Sequence, residues 1–328
     1  MIARPHIQRL AERVRARAPL AAGFVYPCDG DALQLALSGA FAGYLAPVLI
    51  GPAARIRDVA LRAGLNIGRL LILDTPDDPR AASVQAVVAA RVGRVQALVK
   101  GNLGIDDLLS PVAAADSGLR TDHRLSYAHV LDIAGRAQPL LVADALLNVA
   151  PNLAAKKDIL HNTVELARAL GIAAPRVALL AAVDGVNHAF TSTMDASALK
   201  TMAAHGLFGE VEVDGPFAAD TALSAEAARA NGVHSTVAGR PEIVLAPSME
   251  AASVLLRSIT ALTGAFATGV VLGARVPIVA AAKGDAMDVR MAACVVAALL
   301  ATPRAVPSQV MPALLPGAAT EPRLHARS

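Results

Sequence analysis

The chain has 328 residues, of which 55% are hydrophobic and 17% charged, with a formal net charge of +3 and a mean hydropathy of +0.49. That balance excludes a disordered chain, and the length suits two domains of ordinary size rather than one small core. The single basic stretch, RLAERVRARA over residues 9–18, has helical spacing and no interleaved aromatics, so it reads as a solvated first helix and not as a nucleic-acid arm.

Cys28 and Cys294 lie far apart, give no disulfide framework and fit a reducing compartment. No apolar h-region follows a charged start. The longest apolar run, Met291 to Ala301, falls short of the ~20 residues that span a bilayer. The expectation is a cytoplasmic protein with no membrane or nucleic-acid partner. With aromatics at 3% and Trp absent, Ala, Val and Leu must build the core, which favours helices packed on parallel strands.

In chain order, residues 5–18 predict a helix, 23–26 a strand, 30–43 a helix and 47–50 a strand. A helix over 53–63 stops at Gly64. Strand 70–73 opens into a turn-rich loop from Asp74 to Pro79. Helix 80–92 and strand 97–99 follow, the latter leading into Lys100-Gly101-Asn102. Such alternation is the pattern of a doubly wound parallel sheet. After a helix over 106–115, Tyr127–Ile133 and Leu140–Ala143 read as two strands around Gly135, an antiparallel insertion. A long helix spans 153–170.

The densest polar region follows strand 177–183: Asn187, His188, Thr191, Ser192, Thr193 and Asp195 crowd one turn before a helix over 196–205. Val211-Glu212-Val213 then runs into a second polar loop, Asp214-Gly215-Pro216 with Asp220. Both loops leave the same edge of a parallel sheet, beyond the carboxyl ends of the strands, where open α/β sheets bind ligands. The remaining elements are helix 225–230, strand 242–246, helix 249–262, strands 269–272 and 277–281, a loop over 283–288 and a buried helix over 289–301. The expected organisation is one α/β domain from residues 1–145 plus 277–302, a second from 146–276, and a Pro-rich tail over 303–328, with a cleft between the domains.

No G-x-G, Walker A, H-E-x-x-H, C-x-x-C or G-x-S-x-G occurs, which lowers the standing of nicotinamide, ATP, zinc and serine-hydrolase chemistry. What remains is a set of loops bearing amides, hydroxyls, carboxylates and a few cations. Backbone amides and cations hold an anion such as phosphate, and a neighbouring carboxylate can serve as general base. Each loop also has a plainer use. Ser192 and Thr193 serve equally as caps of a helix starting near Asp195, Asp214-Gly215-Pro216 as a strand-exit turn, and Arg124 as a surface ion-pair residue.

The order of motifs carries a resemblance. Lys100-Gly101, Arg120 to Ser126, Leu140 to Asp144 with Asn148 and Pro151, V-N-x-x-x-x-S-T-x-D-A over 186–196, D-G-P-x-A-x-D over 214–220, V-A-G-R over 237–240 and V-V-L-G-A-R-V-P-I-V over 270–279 resemble the phosphate acetyl/butyryltransferase family, its butyryltransferase-like branch above all. The resemblance implies two doubly wound α/β/α domains like those of isocitrate and isopropylmalate dehydrogenases, a homodimer, and an active site in the interdomain cleft. It implies transfer of a short acyl group between CoA and phosphate with no metal or redox cofactor. It further implies Lys100, Gly101, Arg124, Asp144, Asn187, Ser192, Thr193, Asp195, Asp214, Gly215, Pro216 and Asp220 as substrate-binding residues, and Lys283, Asp285 and Asp288 as catalytic ones. Where the family has a Ser-Arg pair after the V-P-I strand, this chain has Ala282-Lys283. That loses the hydroxyl beside the reacting carbonyl and the planar guanidinium fork. A member that binds CoA or an acyl phosphate with little turnover is the alternative, and a dehydrogenase or decarboxylase of the same fold a third.

Overall fold

Aliphatic runs such as Leu20–Val25 and Leu140–Ala143 are buried along their whole length, as strands covered on both faces must be. The structure, a computed structural model, describes residues 4–282 and 284–301. Lys283 and the tail over 303–328 lie outside the described residues.

The first half alternates helix and strand as expected: α1 (Pro5–Arg15), β1 (Leu20–Val25), α2 (Gly30–Phe41), β2 (Leu45–Ile50), α3 (Ala53–Arg62), β3 (Leu71–Leu73), α4 (Pro79–Arg91), β4 (Ala97–Lys100) and α5 (Ile105–Ala113). A hairpin of β5 (Ser126–Asp132) and β6 (Leu140–Ala143) follows, then α6 (Leu153–Leu170), β7 (Arg176–Leu180), α7 (Thr191–Ala204) and β8 (Glu212–Phe217). Next come α8 (Ala219–Leu223), α9 (Ala225–Ala230), β9 (Ile243–Leu245), α10 (Met249–Thr263), β10 (Phe266–Leu272), β11 (Ile278–Val279) and α11 (Met287–Leu300). Polar side chains start several helices by accepting their first amides: Asp29 for α2, Asp78 for α4, Asn152 for α6 and Ser248 for α10.

The strands form one sheet of 11, in the order β3-β2-β1-β4-β11-β10-β5-β6-β9-β7-β8. Pairing is parallel at both ends and antiparallel at the three central joints, β11 with β10, β10 with β5 and β5 with β6. Three reversals turn the direction of the strands once. The carboxyl ends of β1, β4 and β11 therefore leave one edge, and those of β6, β7, β8 and β9 the other. This is a mixed α/β fold in which two parallel, doubly wound halves share an antiparallel seam.

Two expectations need correction. Asp214-Gly215-Pro216 is not a loop but the middle of β8. Gly215 lies at φ +135, and a Cβ there would sit 2.6 Å from the Leu179 carbonyl oxygen. The register between β7 and β8 shifts between Ala178 and Leu180, so the segment that reads as turn chemistry is a strand irregularity packed tightly on its neighbour. The helix expected to begin at 196 begins at Thr191, because the hydroxyls and Asp195 that read as loop residues occupy its first turns.

Candidate active site

At the carboxyl ends of β1, β4 and β11 lies a cavity of about 220 Å³, lined by Asp29, Asp31, Lys100, Gly101, Ala282 and Arg290 among others. Gly101 makes its floor possible. A Cβ there would sit 2.6 Å from the carbonyl oxygens of both Val25 and Tyr26, so only glycine lets β4 leave the sheet against the end of β1. The Gly101 and Asn102 amides donate to the Val25 and Tyr26 carbonyls at 2.9 Å. Tyr26 itself has φ +50, the one positive value outside glycine among the described residues, and its hydroxyl donates to Asp77 at 2.6 Å while accepting from Arg55 at 2.7 Å.

Among the described residues, Lys100 and Arg290 are the cations that line this cavity. Lys100 ends β4, and Arg290, in the second turn of α11, is buried and donates to the Asp285 carbonyl at 3.0 Å, with Asp31 at 3.5 Å. Ala282 and Asp285 are bonded to each other twice. The Asp285 carboxylate accepts from the Ala282 amide at 2.7 Å, and the Asp285 amide donates back to the Ala282 carbonyl at 3.2 Å. Asp285, half-buried, is thus tied to Ala282 of the cavity lining. Asp288 is directed elsewhere: exposed, it accepts from Arg4 and from the Val289 amide at 2.8 Å, and the Arg4 bond is the chief reason its carboxyl lies below the usual range. Arg290 escaped the sequence reading because it looks like one more residue of an aliphatic helix; its spacing of five from Asp285 was the available signal.

A second group surrounds Asp144 at the end of β6. Buried, it accepts from the amides of Tyr127 at 3.0 Å, Leu146 at 2.9 Å and Leu147 at 3.0 Å, and from the Asn148 side chain at 2.6 Å. Asn148 in turn accepts from the exposed Arg124 at 3.3 Å and donates to the Leu125 carbonyl at 3.0 Å. The Arg124 amide donates to Asp158 at 3.2 Å, and His123 lies 3.3 Å from the same carboxylate.

The third group lies at the opposite sheet edge, around a cavity of about 620 Å³ lined by Asp184, Val186, Lys200, Asp214, Pro216 and His234 among others. Asp214 accepts from Lys200 and Ser235, both at 2.5 Å, and from the Gly215 amide at 2.9 Å. Burial alone would raise its carboxyl, but these bonds outweigh burial and hold it below the usual range. Asp184, absent from the sequence-based set, accepts from the Ala218 amide at 2.8 Å and the Thr221 hydroxyl at 2.9 Å, tying the end of β7 to α8.

Thr193, fully buried, bonds the Asn187 carbonyl at 2.7 Å and accepts from its amide at 3.0 Å, so it folds the turn it was expected to offer to a ligand. Asp195 pairs with Lys156 of α6 at 2.7 Å. Ser192 is half-buried in the first turn of α7, and Asp220 is exposed on α8. The structure therefore gathers Lys100 and Gly101 into one cavity, with Asp285 bonded to Ala282 of its lining, and Asp214, Gly215 and Pro216 into another. Among the described residues, no group of three or more His, Cys, Asp or Glu is placed to hold a metal ion. Among those residues, no helix is long and apolar enough to cross a membrane.

The sequence model of "Phosphate acetyl/butaryl transferase" matches residues 77–298. A phosphate acetyltransferase of Rhizobium meliloti is 43% identical over 296 residues, covering 90% of this chain and 93% of its own. A phosphate butyryltransferase of Clostridium beijerinckii is 33% identical over 254 residues, covering 77% and 84%. In fold, a branched-chain phosphotransacylase from Enterococcus faecalis V583 superposes with a TM-score of 0.75 at 22% identity, over 86% of this chain and 98% of that one.

Proposed function

This chain belongs to the phosphate acetyl/butyryltransferase family of acyltransferases, and we propose that it moves a short acyl group reversibly between CoA and inorganic phosphate in the cavity at the ends of β4 and β11. The observation that carries this reading is the convergence there of Lys100, the buried Arg290 and the open Gly101 turn with the Asp285 loop. Cations and a close backbone approach suit a phosphoryl group, and the carboxylate of Asp285, bonded to Ala282 of the cavity lining, suits a proton acceptor.

In the thioester-forming direction, Asp285 takes the proton of the CoA thiol. The thiolate sulfur attacks the acyl carbonyl carbon, the bond from that carbon to the phosphate oxygen breaks, and the electron pair departs with phosphate. Lys100 and Arg290 hold that phosphate, with Lys283 supplying the further charge that the resemblance assigns to the loop. Positioning and charge stabilisation of this kind call for no metal or redox cofactor. Arg124, exposed on its Asn148 support, stays a substrate ligand in this proposal. Asp144, Thr193, Asp195 and Asp214, each already satisfied by protein donors, shape the loops that frame the cleft.

We further propose a cytoplasmic homodimer whose chain divides into two domains at 145/146 and 276/277, with β10 of the second seated between β11 and β5 of the first. A second reading, a member that binds these substrates with little turnover, draws on one observation: Ala282 offers no hydroxyl at the cavity lip. Mixing the protein with acetyl or butyryl phosphate and CoA and following thioester absorbance tests the proposal. Steady formation supports it; CoA binding by calorimetry with no thioester above background favours the second reading instead.

A further inference from the structure

The strand order β3-β2-β1-β4-β11 changes its direction of progress between β1 and β4. The chain runs outward from β1 through β2 to β3, then returns to lay β4 on the other side of β1. The loops leaving β1 and β4 diverge there, and the crevice at such a switch point is where open α/β sheets bind ligands. At this joint stands Tyr26, the first residue after β1, with φ +50, the one positive value outside glycine among the described residues. Holding a tyrosine in that region costs free energy, and such strain persists only where the surroundings over-determine it.

Those surroundings act on the backbone and on the side chain. The Tyr26 amide donates to the Ile50 carbonyl at 2.7 Å, and the Tyr26 carbonyl accepts from the amides of Cys28 at 2.8 Å and Asn102 at 2.9 Å. With the Gly101 amide on Val25 and no Cβ at Gly101, the exit of β4 is seated on the Tyr26 peptide. Lys100 and Gly101, both in the cavity lining, take their place from it. The side chain, only 4% exposed, reaches α3 and the loop after β3. Its hydroxyl donates to Asp77 at 2.6 Å and accepts from Arg55 at 2.7 Å, and Arg55 closes the triangle on Asp77 at 3.0 Å. Arg55 and Asp77 are 44% and 54% exposed, and such a pair alone contributes little. The buried hydroxyl between them makes it a tether. Burial first, and then the bond to Asp77, push that hydroxyl up to about 12, so it stays a donor through the neutral range.

Resting on the acyl-transfer reading above, we propose that Tyr26 is a positioning residue for phosphate: its tethered hydroxyl holds the left-handed backbone on which the Lys100-Gly101 exit is seated, and so sets where Lys100 meets the phosphoryl oxygens. Without the tether the backbone relaxes toward negative φ, and the Val25 and Tyr26 carbonyls turn from the Gly101 and Asn102 amides. The ammonium is then displaced while the groups at the acyl carbon stay where they were, so the loss falls on phosphate affinity.

Tyr26→Phe keeps the ring and removes the tether. With acetyl-CoA as acyl donor, the expected result is a rise of about tenfold in the KM for phosphate, the worth of about one hydrogen bond. The kcat and the KM for acetyl-CoA should stay within about twofold, and the pH profile should keep its shape. Asp77→Ala should do the same, whereas Asp77→Asn, which keeps an acceptor for the hydroxyl, should retain most of the phosphate affinity. Tyr26→Phe joined to Asp77→Ala should weaken phosphate no further than either change alone. Calorimetric titration with inorganic phosphate reads the same site without turnover, and its Kd should rise about tenfold in Tyr26→Phe. The proposal is overturned by a Kd in Tyr26→Phe within about twofold of the parent, by full additivity in the double variant, by equal weakening in Asp77→Asn and Asp77→Ala, or by a parent that binds no phosphate. A parent that forms no acetyl phosphate yet shows the tenfold change in Kd would sink the acyl-transfer reading and leave the tether standing.

Discussion

Asp144, Asp195 and Asp214 show how a carboxylate at a strand end can be consumed by the fold. Asp144 takes four donors and Asp214 three, and Asp195 closes an ion pair with Lys156. For Asp214 the consequence is a pH dependence with a definite sign. Its folded carboxyl titrates below the ~3.9 of an unperturbed Asp, so its contribution is whole above about pH 4 and is lost as pH falls through the folded value. Asp214→Asn should therefore lower the melting temperature more at pH 7 than at pH 3, and equal losses at both would refute the assignment. Cys28 gives a second test at this scale. Burial, partly offset by Arg55, pushes its thiol up to about 11, so it is neutral at pH 7. Iodoacetamide should label it only after denaturation; rapid labelling of the folded protein would contradict this. At Ala282-Lys283 the expected outcome of restoring Ser and Arg together is a rise in transferase kcat, and no change would count against the loop's place in the reaction.

At the scale of elements, α6 and α7 are joined by the Lys156–Asp195 pair, whose side chains are 7% and 13% exposed. Breaking one partner of a buried pair typically costs about 3–5 kcal/mol. Asp195→Ala should thus lower stability to denaturant by that order while leaving kcat per folded molecule nearly intact; lost activity in a stable variant would instead make Asp195 a substrate ligand. Most of these elements were legible in the sequence, because their apolar periodicities differ and Gly or Pro marks their ends. The expected helix over 153–170 and the strand over 140–143 match α6 and β6 residue for residue. The misread stretch was 191–216. Thr193 and Asp195 are helix residues whose polarity serves tertiary bonds, and Asp214-Gly215-Pro216 is a strand whose composition answers a close approach to Leu179. Local propensity carries no trace of either demand.

At the scale of the whole molecule, the sheet reverses direction once across its seam, and this decides which loops can meet. The loops after β4 and β11 share an edge; those after β7 and β8 leave the opposite one. A sequence shows that strands alternate with helices but not how many antiparallel joints separate two parallel runs, so the grouping of Lys100 with Arg290 and Asp285 emerged only from the structure. The same geometry sets apart the two carboxylates of the last loop: Asp285 faces the cavity turn, and Asp288 pairs with Arg4 at the surface.

Whether acyl transfer to phosphate runs through the Asp285 loop is decided by phosphate-dependent release of free thiol from acetyl-CoA by the parent protein, Asp285→Asn and Asp288→Asn. Release should require phosphate, fall at least about 10²-fold in Asp285→Asn, as loss of a general acid–base group does, and stay within about twofold in Asp288→Asn, whose exposed pair with Arg4 is worth little. Release that ignores phosphate, or an Asp285→Asn protein as fast as its parent, would contradict it.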